Sequence, residues 1–244
     1  MEGTVNYQKE LDKIIEKLCD SDQGGNGKKK VPTLLLHSCC APCSSYCMEY
    51  LRQFFDLTVF YYNPNITQQS EYRLRAEEEK RLIRAFNELP TEDGRTIKIM
   101  EGDYEPERFL EMAKGLEQCP EGGERCFRCY ELRLRKTAEK AKELGFDFFT
   151  TTLTISPLKN AAKLNEIGMQ LAKELDVNWL VSDFKKKNGY KRSIELSQQY
   201  HLYRQNYCGC GFSKAESMKR EIQKAGKQSD RENKNSGENR QGEV

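Results

Sequence analysis

The sequence predicts an α/β fold in three layers, a parallel sheet with helices on both faces. Three observations lead there. Short apolar runs alternate along the chain with charged segments of helical length. The alternation is strand, helix, strand, which favours parallel pairing. The runs also stop abruptly in polar or sulfur-bearing residues: His37-Ser38-Cys39-Cys40, Asn63-Pro64-Asn65, Glu101-Gly102-Asp103, Thr154-Ile155-Ser156-Pro157 and Ser182-Asp183-Phe184. In an open parallel sheet such ends converge on one edge, where ligand sites form.

A first helix is expected from Tyr7 to Cys19, because Leu11, Ile14, Ile15 and Leu18 fall on one stripe. SDQGGNGKKK, residues 21–30, reads as a flexible turn or linker. VPTLLLH then reads as a buried strand, with Pro32 tolerated only at its start, and a helix is expected to begin near Ala41. LTVFYY, TIKIM, FDFFTTTL and NWLVS supply four more strands. Helices are expected at Gln68–Leu89, Glu105–Leu116, Arg125–Leu144, Asn160–Leu175 and Tyr190–Tyr203. From Gly226 the chain is poor in apolar residues and reads as a disordered tail. The expected division is a helix and linker over 1–28, a single α/β domain over 29–225 and a charged tail over 226–244.

The 244 residues suit one large domain with extensions. At 37% hydrophobic and 32% charged, the chain can fill a core and remain soluble. It holds no apolar stretch long enough for a membrane span, and MEGTVNYQKELDK lacks the features of a signal peptide. A cytoplasmic location without a membrane partner is expected. The net charge of +2 averages over uneven segments. Between Arg125 and Lys142 seven basic residues face only Glu131 and Glu139, and from Lys185 to Arg192 five face no acid. Such local surfaces suit a polyanion.

Of ten cysteines, nine fall in three groups: Cys39, Cys40, Cys43 and Cys47; Cys119, Cys126 and Cys129; Cys208 and Cys210. In a reducing compartment, clustered cysteines hold metal or do thiol chemistry more often than they form structural disulfides. Adjacent cysteines at a strand end gain nothing from packing, whereas Cys47, one helical turn after Cys43, reads as a small core hydrophobe. Cys126 and Cys129 open a helix, where the helix terminus stabilises thiolate charge. Together with the strand-end pair they offer four thiolates, which suit zinc or an iron–sulfur cluster. Cys208-Gly209-Cys210-Gly211 suits either a strained, reducible disulfide or a chelate. Cys119 carries no assignment, and His37 reads as packed or supporting.

Six stretches together resemble one known family. LLLHSCCAPCSSY, FYYNPNI with EYRLR, ERCFRCYELRL, TTLTISPLKN, SDFKKKNGYKRSIELS and YRQNYCGCGFS are similar to the cobalamin-independent epoxyqueuosine reductases, the QueH family, over Lys29 to Phe212. The resemblance implies removal of the epoxide oxygen from epoxyqueuosine at the wobble position of tRNA. It implies a Rossmann-like fold of the nucleotide-hydrolase (HUP, PP-loop) group, although CCAPC occupies the turn where an ATP-using relative keeps its phosphate loop. Cys39, Cys40, Cys126 and Cys129 would ligate a 4Fe-4S cluster, and Cys208 with Cys210 would form a redox-active disulfide. Some members hold a second, mononuclear iron and carry a carboxylate at the position of Cys43. Here Cys43 is left to bind that iron, replace a cluster ligand or stay uncommitted. Lys185, Lys186, Lys187, Lys191 and Arg192 are candidates for tRNA phosphates, and Tyr190, Tyr203 or Tyr207 for bases. An electron donor is required. The competing readings are an electron-transfer or heterodisulfide-reductase-like protein without RNA, an ATP-dependent tRNA sulfur-transfer enzyme, and a zinc-stabilised RNA-binding module.

Overall fold

A computed structural model describes residues 5–20, 31–91 and 93–223. The linker at 21–30 and the tail from Gly226 lie outside the described residues. Five strands, β1 (Thr33–Ser38), β2 (Asp56–Tyr61), β3 (Lys98–Glu101), β4 (Phe148–Thr151) and β5 (Asn178–Trp179), form one sheet in the order β3-β2-β1-β4-β5. Every pairing is parallel. The helices are α1 (Tyr7–Asp20), α2 (Ala41–Leu51), α3 (Gln69–Asn87), α4 (Pro106–Ala113), α5 (Glu124–Leu144), α6 (Ala161–Leu175) and α7 (Gly189–Gln199).

The period of two along the strands makes the layers. Leu34 and Leu36 of β1 point into a core shared with α1 and α2 through Leu11, Met48 and Leu51. Leu35 points to the opposite face, where Leu134 and Ala138 of α5 and Leu164 and Leu171 of α6 cover the sheet. The expected three-layer architecture is therefore the observed one. The strand order reverses between β1 and β4, so the C-terminal ends of these two strands open a crevice. Cys39 and Cys40 follow β1 directly, and a 3-10 turn, Thr152–Ile155, follows β4.

Several boundaries differ from the sequence reading, each for a local reason. The β4 strand ends at Thr151 rather than at Leu153, because the Thr151 hydroxyl accepts the Leu153 N–H at 3.2 Å and turns the chain. The β5 strand keeps only two residues of NWLVS. The α7 helix stops at Gln199, short of Tyr203; His201 takes a positive φ of 50° and the Leu202 N–H returns to the Ser197 carbonyl. A helical run over 211–223 follows Cys210 and was not anticipated, since few of its residues are apolar. No helix among the described residues is long and apolar enough to cross a membrane.

The edge of the sheet is pinned by one side chain. Buried Asn165 of α6 accepts hydrogen bonds from Trp179 Nε1 and the Ser182 N–H, each at 3.0 Å, and donates to the carbonyls of Ala161 and Ser182, each at 2.8 Å. Asn165→Ala strands two buried donors, each costing ~1–3 kcal/mol. Urea denaturation is expected to show a lower midpoint with an unchanged slope; an unchanged midpoint would show that water replaces the side chain.

Candidate functional site

The first group of thiols is set by the β1–α2 turn. Cys40 is the N-cap of α2 in an extended conformation, and its carbonyl accepts the N–H groups of Cys43 and Ser44. Cys43 is thereby folded back over the adjacent pair. The sulfurs of Cys39, Cys40 and Cys43 all lie within 4.8 Å of one another, and Cys39 Sγ is 3.7 Å from Cys40 Sγ. Thr152, at the end of β4, holds Cys39 from across the crevice: its hydroxyl accepts the Cys39 N–H and lies 3.7 Å from the sulfur. The Cys39 thiol is held well below its usual pKa by hydrogen bonds from Cys40 and Cys43, while those two are pushed up. A cation placed among three such close thiols would favour ionisation of all of them. Cys47 packs in the core.

His37 lies under this turn, fully buried. Its Nε2 donates to the Tyr62 carbonyl at 3.1 Å, so Nδ1 accepts from the Thr151 hydroxyl at 2.8 Å. Burial, reinforced by Arg133, depresses its pKa to about 3, so the ring is neutral and structural.

Cys126 and Cys129 stand on the first turn and a half of α5, outside the three-thiol set. They line a small inner cavity of about 20 Å³ together with Cys208 and Cys210. A larger, open cavity of about 340 Å³ contains Cys39, Cys40 and Cys43. Cys208, Lys159 and Glu121 line both. Cys210 is buried against Cys129 and Phe109. All four of these thiols are free.

The Cys208-Gly209-Cys210 turn is fastened to the β2 end. Asn65 Nδ2 and Arg75 Nη1 donate to the Cys208 carbonyl at 3.3 and 3.2 Å, and the Ser213 hydroxyl accepts the Cys208 N–H at 3.0 Å. Gly209 has φ +115°, and a Cβ there would stand 2.7 Å from Ile66 Cγ1. Only glycine meets both demands.

Two buried cations complete the site. Arg133 is fully buried on α5; its Nε donates to the Cys129 carbonyl at 3.2 Å, and neither Nη atom has a partner among the described residues. Burial opposes its charge, yet the thiols of Cys129, Cys208 and Cys39 outweigh that and raise its pKa. Lys159 Nζ lies 3.2 Å from Cys208 Sγ. Burial alone would raise the Cys208 pKa; Lys159 and Arg133 reverse the effect and lower it. Burial dominates at Cys129, pushing it up to about 12. Unpaired guanidinium N–H groups amid soft sulfur donors fit an anionic thiolate-bound metal group. Sequence reading missed Arg133 because it counted only as surface charge. Its position seven residues after Cys126 and four after Cys129 is the signal that places it on their face.

The basic loop is largely engaged within the chain. Lys185 pairs with Asp183 at 2.9 Å and donates to the Thr154 carbonyl; Lys187 pairs with Asp12 at 2.7 Å; Arg192 pairs with Glu49 at 2.6 Å. Lys186 and Lys191 are exposed and have no ion pair among the described residues. Tyr190 and Tyr207 line the open cavity, and Tyr207 lies beneath Arg75 with 5.1 Å to the ring centroid. The Tyr203 hydroxyl instead donates to Glu71 at 3.2 Å.

A family profile described as "Epoxyqueuosine reductase QueH" matches residues 34–216. Curated relatives with the same description include one from Streptococcus pyogenes serotype M1, 47% identical over 182 residues, or 75% of this chain and 70% of the relative. One from Staphylococcus epidermidis is 45% identical over 211 residues, 86% of this chain and 84% of the relative. One from Thermotoga maritima is 34% identical over 184 residues, 74% of this chain and 90% of the relative.

Behind the thiol turn, Glu79 of α3 is fully buried, and neither carboxylate oxygen receives a hydrogen bond among the described residues. Burial raises its pKa to about 8, against the opposing effect of the nearby Ser44 and Ser38 hydroxyls. The unfolded carboxyl ionises near ~4.3. Between that value and about 8 the unfolded chain binds fewer protons than the folded one, so this group's contribution to stability falls as pH rises. The slope is up to ~1.4 kcal/mol per pH unit. Glu79→Gln is expected to flatten the stability profile between pH 5 and 8 and to exceed the parent at pH 7.5. Urea titrations at several pH values check this; parallel profiles would mean that Glu79 is not held protonated.

Proposed function

The chain belongs to the QueH family of epoxyqueuosine reductases, and from that membership we propose its function: two-electron removal of the epoxide oxygen from epoxyqueuosine in the anticodon of tRNA, giving queuosine. One observation carries the reading to this chain's residues. Cys208 lines both the open cavity that contains Cys39, Cys40 and Cys43 and the inner one that contains Cys126, Cys129 and Cys210. A thiol so placed can exchange electrons with groups on either side.

In this reading Cys39, Cys40, Cys126 and Cys129 hold a 4Fe-4S cluster. Cys43, the third sulfur of the strand-end set, is available to a second, mononuclear iron. When bound, these groups would relay electrons one at a time from the dithiol and offer a Lewis acid to the departing oxygen. Arg133 supports the assignment, because its unpaired N–H groups match the negative charge of a thiolate-bound cluster.

The remaining steps belong to the chain itself. The substrate base enters the open cavity past Tyr190 and Tyr207, whose ring faces suit an unstacked base. Deoxygenation consumes two electrons and two protons and releases water, leaving an alkene. Oxidation of Cys208 and Cys210 to a disulfide supplies the two electrons, and a donor outside the chain restores the dithiol. A tRNA substrate and a chain without a membrane-spanning helix among its described residues support a cytoplasmic setting.

Anaerobic reconstitution with iron and sulfide is expected to load iron and sulfide in equal amounts at the cluster, with iron in excess by one where the mononuclear site is filled. Alanine at Cys39, Cys40, Cys126 or Cys129 lowers that content, and the loaded parent converts epoxyqueuosine tRNA to a nucleoside lighter by one oxygen. Zinc at full occupancy with iron supplied, or no affinity for tRNA, would sink the reading; the latter would favour an electron-transfer protein.

The internal pairing of the basic loop refines the tRNA contact. Replacing Lys186 and Lys191 by Ala is expected to reduce the salt dependence of tRNA binding by about one unit of slope per lost phosphate contact. The same change at Lys187, paired with Asp12, is expected to have a smaller effect. Binding measured over a salt series separates the two; equal slopes for all variants would move the contact elsewhere.

A further inference from the structure

We propose that Lys159 is a catalytic residue of this site, holding Cys208 as the thiolate of the redox pair and carrying the second proton of the deoxygenation. The inference rests on the function proposed above and adds a residue and a proton path to it.

The geometry is specific. The Lys159 side chain is only 8% exposed, and its ammonium lies 3.2 Å from Cys208 Sγ and 4.0 Å from Glu121. The Tyr130 ring stands with its centroid 6.0 Å away. Arg133 adds a second positive charge to the same sulfur. Cys210 has no such partner among the described residues: its sulfur accepts the Ser213 N–H at 3.3 Å, and it packs beside Cys129 and Phe109. The two sulfurs are therefore unequal. Cys208 lines the open cavity with the ammonium beside it, and Cys210 is buried away from that charge.

This inequality fixes the balance of the reaction. The Cys208 thiolate and the Cys210 thiol form one S–S bond, giving up two electrons and one proton. The substrate takes two electrons and two protons as both C–O bonds break, an alkene forms and the oxygen leaves as water. The missing proton has to come from elsewhere, and the Lys159 ammonium beside Cys208 holds it.

The proton also becomes available at the right moment. Burial works against the charge of Lys159, as does Arg133, whereas Cys208 and then Tyr130 favour it. Glu121 is shared with Arg220, at 3.2 Å. Oxidation of Cys208 removes the largest favourable influence and leaves burial unopposed by a thiolate, so the ammonium becomes a better acid as the disulfide closes.

Two variants separate the two roles, read on the iron-loaded protein kept anaerobic. Lys159→Arg keeps a positive charge beside Cys208 but cannot release a proton near neutral pH. Lys159→Met removes both. The pH dependence of Cys208 alkylation by iodoacetamide, localised by fragment mass spectrometry, reports the thiolate without any substrate. Its midpoint is expected to rise by about one pH unit or more in Lys159→Met and to stay near the parent in Lys159→Arg. Single-turnover loss of the epoxide from epoxyqueuosine tRNA is expected to slow by about 10²-fold or more in both. Iron content and circular dichroism report whether each variant is intact; should Lys159→Met lose either, Lys159→Arg still decides the proton step. An unmoved alkylation midpoint in intact Lys159→Met overturns the ion pair. A parent-like single-turnover rate in Lys159→Arg overturns the proton transfer. A parent protein that leaves epoxyqueuosine unchanged while its Cys208 midpoint depends on Lys159 would refute the function and leave the ion pair standing.

Discussion

A buried guanidinium with two nitrogens left without acceptors is the constraint on which the rest of the site depends. Taking an isolated charge out of water costs several kcal/mol even after relaxation, and Arg133 keeps two donor atoms unpaired at full burial. Such an arrangement persists only if negative charge is close. The thiols around it are the available source: burial works against ionisation of each and prevails at Cys129, while neighbouring thiols lower the pKa of Cys39 and the cations lower that of Cys208. Cation and thiols are thus mutually dependent: Arg133 makes thiolate affordable in this interior, and thiolate keeps Arg133 charged. A thiolate-bound metal group would satisfy both at once, by deprotonating its ligands and concentrating their charge beside the guanidinium.

The scaffold explains why these groups meet. Reversal of strand order between β1 and β4 leaves a crevice at the strand ends, and the chain fills it from four directions. The β1 end brings Cys39 and Cys40, the β4 end brings Thr152 and the segment to Lys159, and α5 brings Cys126, Cys129 and Arg133. The Cys208–Cys210 turn arrives last in sequence and is held by the β2 end through Asn65 and by α3 through Arg75. Because Gly209 accepts close contact with Ile66, the turn can sit against this edge without a side chain to hold it off. The position of this turn is therefore a property of packing between distant segments rather than of its own four residues.

That distinction also marks what was legible in the sequence. Layering was legible, because alternation at Leu34, Leu35 and Leu36 between two helical faces is a local pattern. The thiol turn was legible for the same reason: CCAPC follows an apolar run, and a helix starting at Ala41 folds Cys43 back by geometry alone. Element ends were less so, since β4 is stopped by one hydroxyl and α7 by one positive φ. Charge was misleading. Lys187 finds Asp12 and Arg192 finds Glu49 across more than a hundred residues, pairings with no local trace, so a run of five cations looked freer than it is. Arg133 and Lys159 were hidden in the opposite way, as ordinary basic residues whose burial only the assembled fold reveals.

The asymmetry between Cys208 and Cys210 follows from the same physics. Two cysteines separated by one glycine are chemically alike in the unfolded chain, so any difference has to come from the surroundings. Burial raises both thiols. Cations reach only one of them, because Lys159 comes from the crevice side of the turn while Cys210 turns inward to Cys129 and Phe109. Once Cys208 carries the charge, it makes Cys210 harder to ionise still. One close ammonium thus divides a symmetric motif into a sulfur beside a cation, lining both cavities, and a sulfur packed against Cys129 and Phe109. In the proposed reaction, a dithiol so placed lies between the two sets of thiols, with the ammonium beside it available to hold the second proton.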